Sequence, residues 1–320
     1  MDIEYLLLLQ DFRNGIDNAL TPFMEWVSLF GITYIILLPA FVYWCLDKRK
    51  GLLIFMGFRI CRVLNAVVKL TACVYRPWVR DARVIPAGDS IRTATGYSFP
   101  SGHTMTATSI YGGLALISKK KAARLFWIAA ILVTAFSRNY LGVHTPQDVL
   151  VGLLLGTLSI YLAKWLLDYL DAHPERDGVV MLTCAAAGIL TLVYVSFKSY
   201  PMDYVDGRLL VDPDKMTRDA WGDAGGMVAF MAAWYVEKRW IRFSSTGWNF
   251  RGVLLCAVGL LPLCWIVGEL PGMTSGWFGP HVGKVAHQAV LCFYVMVFWP
   301  AALKLFVHTR ATLVSAKSGD

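Results

Sequence analysis

Three short stretches of this chain carry residues that can bind and process an anion. The first is KLTACVYRP, with Lys69, Arg76 and Pro77. Read as one helix, it sets Lys69 and Arg76 about two turns apart, roughly 10 Å of rise, a gap two long side chains can close on one anion. Arg offers a planar fork of donors and Lys a compact charge. Pro77 is expected to end the helix just after Arg76. The second is PSGH, with Pro100, Ser101, Gly102 and His103 before an apolar run. A helix N-terminus there offers free backbone N–H groups, Gly102 allows close approach and Ser101 adds a hydroxyl. His103 can act as a general acid toward a leaving oxygen. A plain helix-start turn accounts for Pro, Ser and Gly but gives no reason for a histidine entering an apolar segment.

The third stretch is SRNYLGVHTPQD, with Ser137, Arg138, His144 and Asp148. Thr145, Pro146 and Asp148 suit the N-cap, first position and acidic third position of a helix. His144 immediately precedes that cap, so Asp148 is one turn away and can hold its ring. A histidine oriented by a carboxylate is the base-plus-orienter arrangement of covalent catalysis.

The elements that must position these residues are membrane helices. Of the 320 residues 57% are hydrophobic and only 16% charged, against about 25% charged in soluble domains. Nine apolar runs read as spans: 22–45, 51–74, 103–118, 122–137, 148–170, 178–197, 219–237, 251–270 and 284–307. The run at 219–237 is the weakest, because it contains Asp219, Asp223 and several glycines. The fold class is therefore all-α, a polytopic membrane helix bundle. Residues 1–21 read as an interfacial amphipathic helix without signal-peptide features, 22–170 as the core that carries the motifs, and 171–320 as four further spans and a cytoplasmic tail.

The net charge of +8 does not mark a nucleic-acid binder, because the basic residues fall in short loops such as Lys48–Lys50, Lys119–Lys121 and Lys238–Arg242. With nine spans, one side of the membrane holds 16 of the 30 Lys and Arg and the other 11. The richer side is cytoplasmic by the positive-inside rule. All three motifs and the N-terminus then face away from the cytoplasm. Arg62, Lys69 and Arg76 recur every seven residues, and Arg59 and Arg62 are expected to face a polar interior or a structural partner. The seven cysteines, 45, 61, 73, 184, 256, 264 and 292, show no CxxC pair and no metal-ligand spacing.

The ordered pattern K-x6-RP, PSGH, SR-x5-H-x3-D resembles the type 2 phosphatidic acid phosphatase superfamily. The motifs cover 69–148 and the helix layout about 22–170. The resemblance implies His144 as nucleophile forming a phosphohistidine, Asp148 as its orienter and His103 as the acid for the leaving group. It implies Lys69, Arg76, Ser101, Gly102 and Arg138 as the phosphate cradle, with no metal and no cofactor. The nine-span plan is similar to glucose-6-phosphatase and to sphingosine-1-phosphate phosphatases. The expected partner is a phosphorylated lipid, such as phosphatidic acid, a polyprenyl diphosphate or a sphingoid phosphate. A sugar phosphate is the competing substrate, and transfer to a lipid acceptor the competing outcome. Arg80, Arg83 and Arg92 can contact a head group. Tyr200, Asp203, Tyr204, Asp206, Trp277, Phe278 and His281 sit in loops that can shape specificity.

Overall fold

The computed structural model describes residues 2–30, 34–94, 96–205 and 207–306, without the side chains of Thr93 and Arg208. Asp206 and the tail 307–320 lie outside the described residues.

The chain folds as a helical bundle whose only strands, among the described residues, form an antiparallel ribbon pairing Tyr204–Val205 with Arg208–Leu209. Helices α1 (Asp2–Gly15) and α2 (Thr21–Phe30) pack on α8 (Lys121–Tyr140). The run 22–45 is divided between α2 and a shorter apolar helix, Leu37–Leu46, formed by α3 (Leu37–Phe41) and a π-helical turn. The core comprises α4 (Lys48–Ala72), α7 (Gly102–Ile117), α8 and α9 (Pro146–Ala172), joined by the short helices α5 (Pro77–Arg80) and α6 (Ser90–Thr93). A second group follows: α10 (Asp177–Phe197), α11 (Pro213–Val236), α12 (Phe250–Gly268), α13 (Leu270–Phe278) and α14 (Pro280–Phe293).

Among the described residues five helical stretches are long and apolar enough to cross a membrane: Lys48–Arg80, Pro146–Ala172, Pro174–Phe197, Phe250–Gly268 and Pro280–Phe306. The remaining expected runs form helices of a different character. Helix α7 is buried along most of its length, enclosed by α4, α8 and α9. Helix α11 is enclosed by α10, α14 and α4. A helix surrounded by protein has no lipid to match, so α11 can hold Asp223, which accepts from Arg62 Nε at 2.7 Å. Arg62 thus has the structural ion pair expected of it, and Arg59 donates to Gln288 Oε1 at 2.7 Å.

Glycines set the contact between α7 and α9. A Cβ at Gly152 would lie 3.1 Å from the Ser101 carbonyl oxygen, and one at Gly156 would lie 2.6 Å from Thr108 Cβ and 2.9 Å from the Met105 carbonyl oxygen. The bare backbone of α9 thereby lets the two helices touch, as small residues four apart do in membrane bundles.

The expected single helix through Arg76 does not form. Helix α4 ends at Ala72, where Cys73 takes a left-handed conformation (φ 48°) as the C-cap. Arg76 is extended and Pro77 begins α5 rather than ending α4. Lys69 and Arg76 therefore do not share a helix face. Arg76 reaches the site from a chain that has turned back across the end of the bundle.

Candidate active site

All three motifs meet at one end of the core. Lys69 comes from the last turn of α4, PSGH opens α7, and His144 lies in the loop from α8 to α9. The Ser101 N–H donates to the Asp148 carbonyl at 2.9 Å, so the second and third motifs are tied by backbone. Ser101 is the N-cap of α7: its Oγ accepts from the Thr104 N–H at 3.4 Å and from Thr104 Oγ1 at 2.9 Å. Thr145 and Asp148 form a reciprocal capping box at the start of α9.

That capping carboxylate is also the partner of His144. Asp148 Oδ2 accepts from the Thr145 N–H at 2.8 Å and stands 3.3 Å from His144 Nδ1. On the other side of the ring, Arg76 Nη1 is 2.9 Å from His144 Nε2. A guanidinium only donates, so Nε2 must be the accepting nitrogen and Nδ1 carries the proton toward Asp148. The lone pair of Nε2 therefore lies on the face turned away from Asp148. His144 is buried in the loop, and that burial, with the Arg76, Arg138 and Lys69 cations around it, holds its pKa well below the ordinary imidazole range. Its ring is neutral at neutral pH.

Arg76 spans the site, donating Nε to the Gly96 carbonyl at 3.0 Å and Nη1 to the Val143 carbonyl at 2.9 Å. Lys69 Nζ donates to three carbonyls, Tyr97 at 3.1 Å, Ser98 at 3.2 Å and Pro100 at 2.7 Å. It fastens the loop before α7 as well as carrying charge. Arg138 is fully buried and donates Nη1 to Ser28 Oγ. Its Nε and Nη2, and His103 Nε2, are buried with no hydrogen-bond partner among the described residues. Buried polar groups of this kind are costly unless a ligand meets them.

A pocket of about 280 Å³ opens on Lys69, Arg76, Gly102, His103 and His144. Ser101, Arg138 and Asp148 are buried beside these residues but do not line it. Two residues escaped the sequence reading. Ser98 Oγ donates to Asp148 Oδ2 at 2.5 Å and lies 3.4 Å from His144 Nδ1. Asn139 Nδ2 donates to the His144 carbonyl at 2.9 Å. Asn139 lies inside the third stretch and Ser98 just before the second, but neither carries a signal of its own in the sequence.

The described residues expected to shape specificity do not line this pocket. Met216, Asp219, Ala220 and Asp223 of α11 do. Trp277, Phe278 and His281 lie in α13 and α14 rather than in a loop. The loop arginines pair locally, Arg80 with Asp2 at 2.8 Å, Arg83 with Asp81 at 2.7 Å and Arg92 with Asp89 at 3.5 Å.

Residues 50–171 match the PAP2 superfamily. Phosphatidylglycerophosphatase B of Bacillus subtilis is 31% identical over 169 residues, covering 50% of this chain and 77% of that protein. Undecaprenyl-diphosphatase of Sulfolobus acidocaldarius is 33% identical over 148 residues, 45% of this chain and 69% of its own. Lipid A 4'-phosphatase of Bacteroides thetaiotaomicron is 26% identical over 196 residues, 56% of this chain and 83% of its own. No solved structure gives a significant match. The matched segment begins at the start of α4 and ends at the close of α9, so it contains every motif residue that meets at the pocket, and the chain belongs to the PAP2 superfamily.

Proposed function

We propose that this integral membrane protein hydrolyses a phosphomonoester or diphosphate of a lipid through a phosphohistidine on His144, on the extracytoplasmic side of a nine-span bundle. The observation that carries the reading is the setting of His144. Its Nε2 lone pair points toward Arg76 at 2.9 Å while Asp148 holds the opposite nitrogen. In the first step Nε2 attacks phosphorus and the bond to the leaving oxygen breaks. His103 delivers a proton to that oxygen. In the second step water attacks phosphorus, the P–N bond breaks, His103 takes the water's proton and inorganic phosphate leaves. Lys69, Arg76, Arg138, Ser101 and the Gly102 backbone act as the cradle that meets the growing negative charge. No step calls for a metal or a cofactor.

The lipid assignment follows what the names of the three relatives share, a phosphate or diphosphate on a lipid. Residues 22–170 are the catalytic core, 1–21 an interfacial helix, and 171–320 further spans and a cytoplasmic tail. The side follows from charge. The end of the bundle opposite the site holds Lys48, Arg49, Lys50, Lys238 and Arg239, each paired with a carboxylate there.

The test is phosphate release by the purified chain in detergent from phosphatidic acid, a polyprenyl diphosphate and a sphingoid phosphate. Release from at least one, lost in His144→Ala with the fold retained, is expected. Near-normal turnover in His144→Ala excludes it as nucleophile. Phosphate appearing on an added lipid alcohol instead of in solution marks a transferase.

A further inference from the structure

The pocket has a second wall that lies outside the family match. On α4, Arg62, Asn65 and Lys69 fall on one helix face, and on α11 Met216, Asp219 and Asp223 do the same. These two faces form the long sides of a slot, with His103 and His144 at one end. Helix α4 runs toward that end and α11 away from it, so Arg62 and Asp223 lie farthest from the histidines. Their ion pair, 2.7 Å between Arg62 Nε and Asp223 Oδ1, closes the slot. Asp219 lies one turn nearer the histidines and is held by Lys284 of α14 at 3.0 Å. Gly226 of α11 leaves room for the Arg59 guanidinium, whose Nη1 would lie 2.5 Å from a Cβ there.

The phosphate is drawn to the Arg76 end, and the two carboxylates along the other side, each paired with one cation, offer hydrogen-bond acceptors there. Each carboxylate has about four lone-pair sites, so pairing with one cation leaves it able to accept more hydrogen bonds. On the phosphatase reading above, the group facing these carboxylates is the leaving alcohol. We propose that Asp219 and Asp223 select that alcohol, and that the preferred substrate is a phosphate ester carrying hydroxyl or ammonium donors beside the ester oxygen. A purely hydrocarbon alcohol would strip water from both carboxylates and return nothing.

The experiment measures kcat/KM of the full chain in detergent on two matched pairs. Glycerol 3-phosphate is compared with butyl phosphate, and lysophosphatidic acid with phosphatidic acid. The donor-bearing member is expected to lead by about tenfold or more in at least one pair, the size of a hydrogen bond to a charged group. A lead in the soluble pair alone identifies a polar phosphate as the source, and a lead in the lipid pair alone a lipid. Asp219→Ala should cut that lead about tenfold. So should Arg62→Leu with Asp223→Leu, a double change that removes the ion pair without stranding either charge. Equal rates within both pairs, or a lead that neither variant moves, overturns the assignment while leaving the phosphatase reading in place. Hydrolysis of none of the four, and of neither the polyprenyl diphosphate nor the sphingoid phosphate, overturns both.

Discussion

His144 is held from two sides by groups of opposite charge, and the distances separate what each partner does. Asp148 Oδ2 is the shared acceptor of Ser98 Oγ at 2.5 Å, the Thr145 N–H at 2.8 Å and, more distantly, His144 Nδ1 at 3.3 Å. Ser98 fixes the carboxylate that fixes the ring. Ser98→Ala is expected to lower kcat by about 10- to 100-fold, the size of a lost hydrogen bond to a charged group, with KM little changed. The Thr145 N–H keeps the capping box closed, so the fold should persist. A rise in KM with kcat intact would place Ser98 in substrate binding instead. His103 and His144 were legible as candidates because few other roles explain an imidazole at the end of an apolar run. Lys69 and Asp148, which a membrane-edge cation and a helix-capping acid would also explain, were legible only together with the rest of their motifs. Ser98 was not, because a serine in a polar loop has many ordinary uses. Its role appears only once the loop before α7 is laid against α9. Arg76 was legible as a type but not as a position: the left-handed turn at Cys73 (φ 48°) breaks the helix that its spacing suggested, and only tertiary contacts dictate a non-glycine residue there.

At the scale of elements, the site depends on how closely α9 approaches α7. The Ser101–Asp148 backbone bond of 2.9 Å forms where these helices touch, and Gly152 and Gly156 keep the contact open on the α9 side. Gly156→Leu would drive its side chain into Thr108 and the Met105 carbonyl, both under 3 Å from a Cβ there. Overpacking of this kind costs about 1–3 kcal/mol. The expected result is a lower unfolding temperature in detergent together with a loss of phosphate release, because the displaced α7 carries His103. Gly112→Ala on α7 is the control: a Cβ there meets nothing nearer than Ile131 Cδ1 at 4.0 Å, so stability and activity should hold. Gly156→Leu behaving like this control would show that the helices separate without harm. The long apolar helices were legible from hydropathy alone. Helices α7 and α11 were harder to place, because helices walled in by protein need not be uniformly apolar. The short length of 103–118 and the acids of 219–237 signal burial inside the bundle more than weakness as helices.

For the whole molecule, the question that organises everything else is which side of the membrane the site faces. The chain puts its chemistry at one end and a cluster of paired cations, Lys48, Arg49, Lys50, Lys238 and Arg239, at the other. The segment 81–100 belongs to the site end, since the Ala87 N–H donates to the Leu141 carbonyl at 3.0 Å. The turn between α9 and α10 lies at the far end, because α9 starts beside His144 and runs the full depth of the bundle. Each end offers an exposed residue for labelling: Arg92, with its side chain 80% exposed, and Glu175, 67% exposed. The seven cysteines of the chain are free and none is fully exposed, so a new surface thiol should react well above the background. In intact cells an impermeant maleimide is expected to label Arg92→Cys and to leave Glu175→Cys unlabelled until the membrane is opened. The reverse pattern would turn the protein over and place phosphate release in the cytoplasm. It would also mean that the cations at the far end, Arg49 paired with Asp168 and Asp171 and Lys238 paired with Asp177, are too well neutralised to set the orientation of the chain.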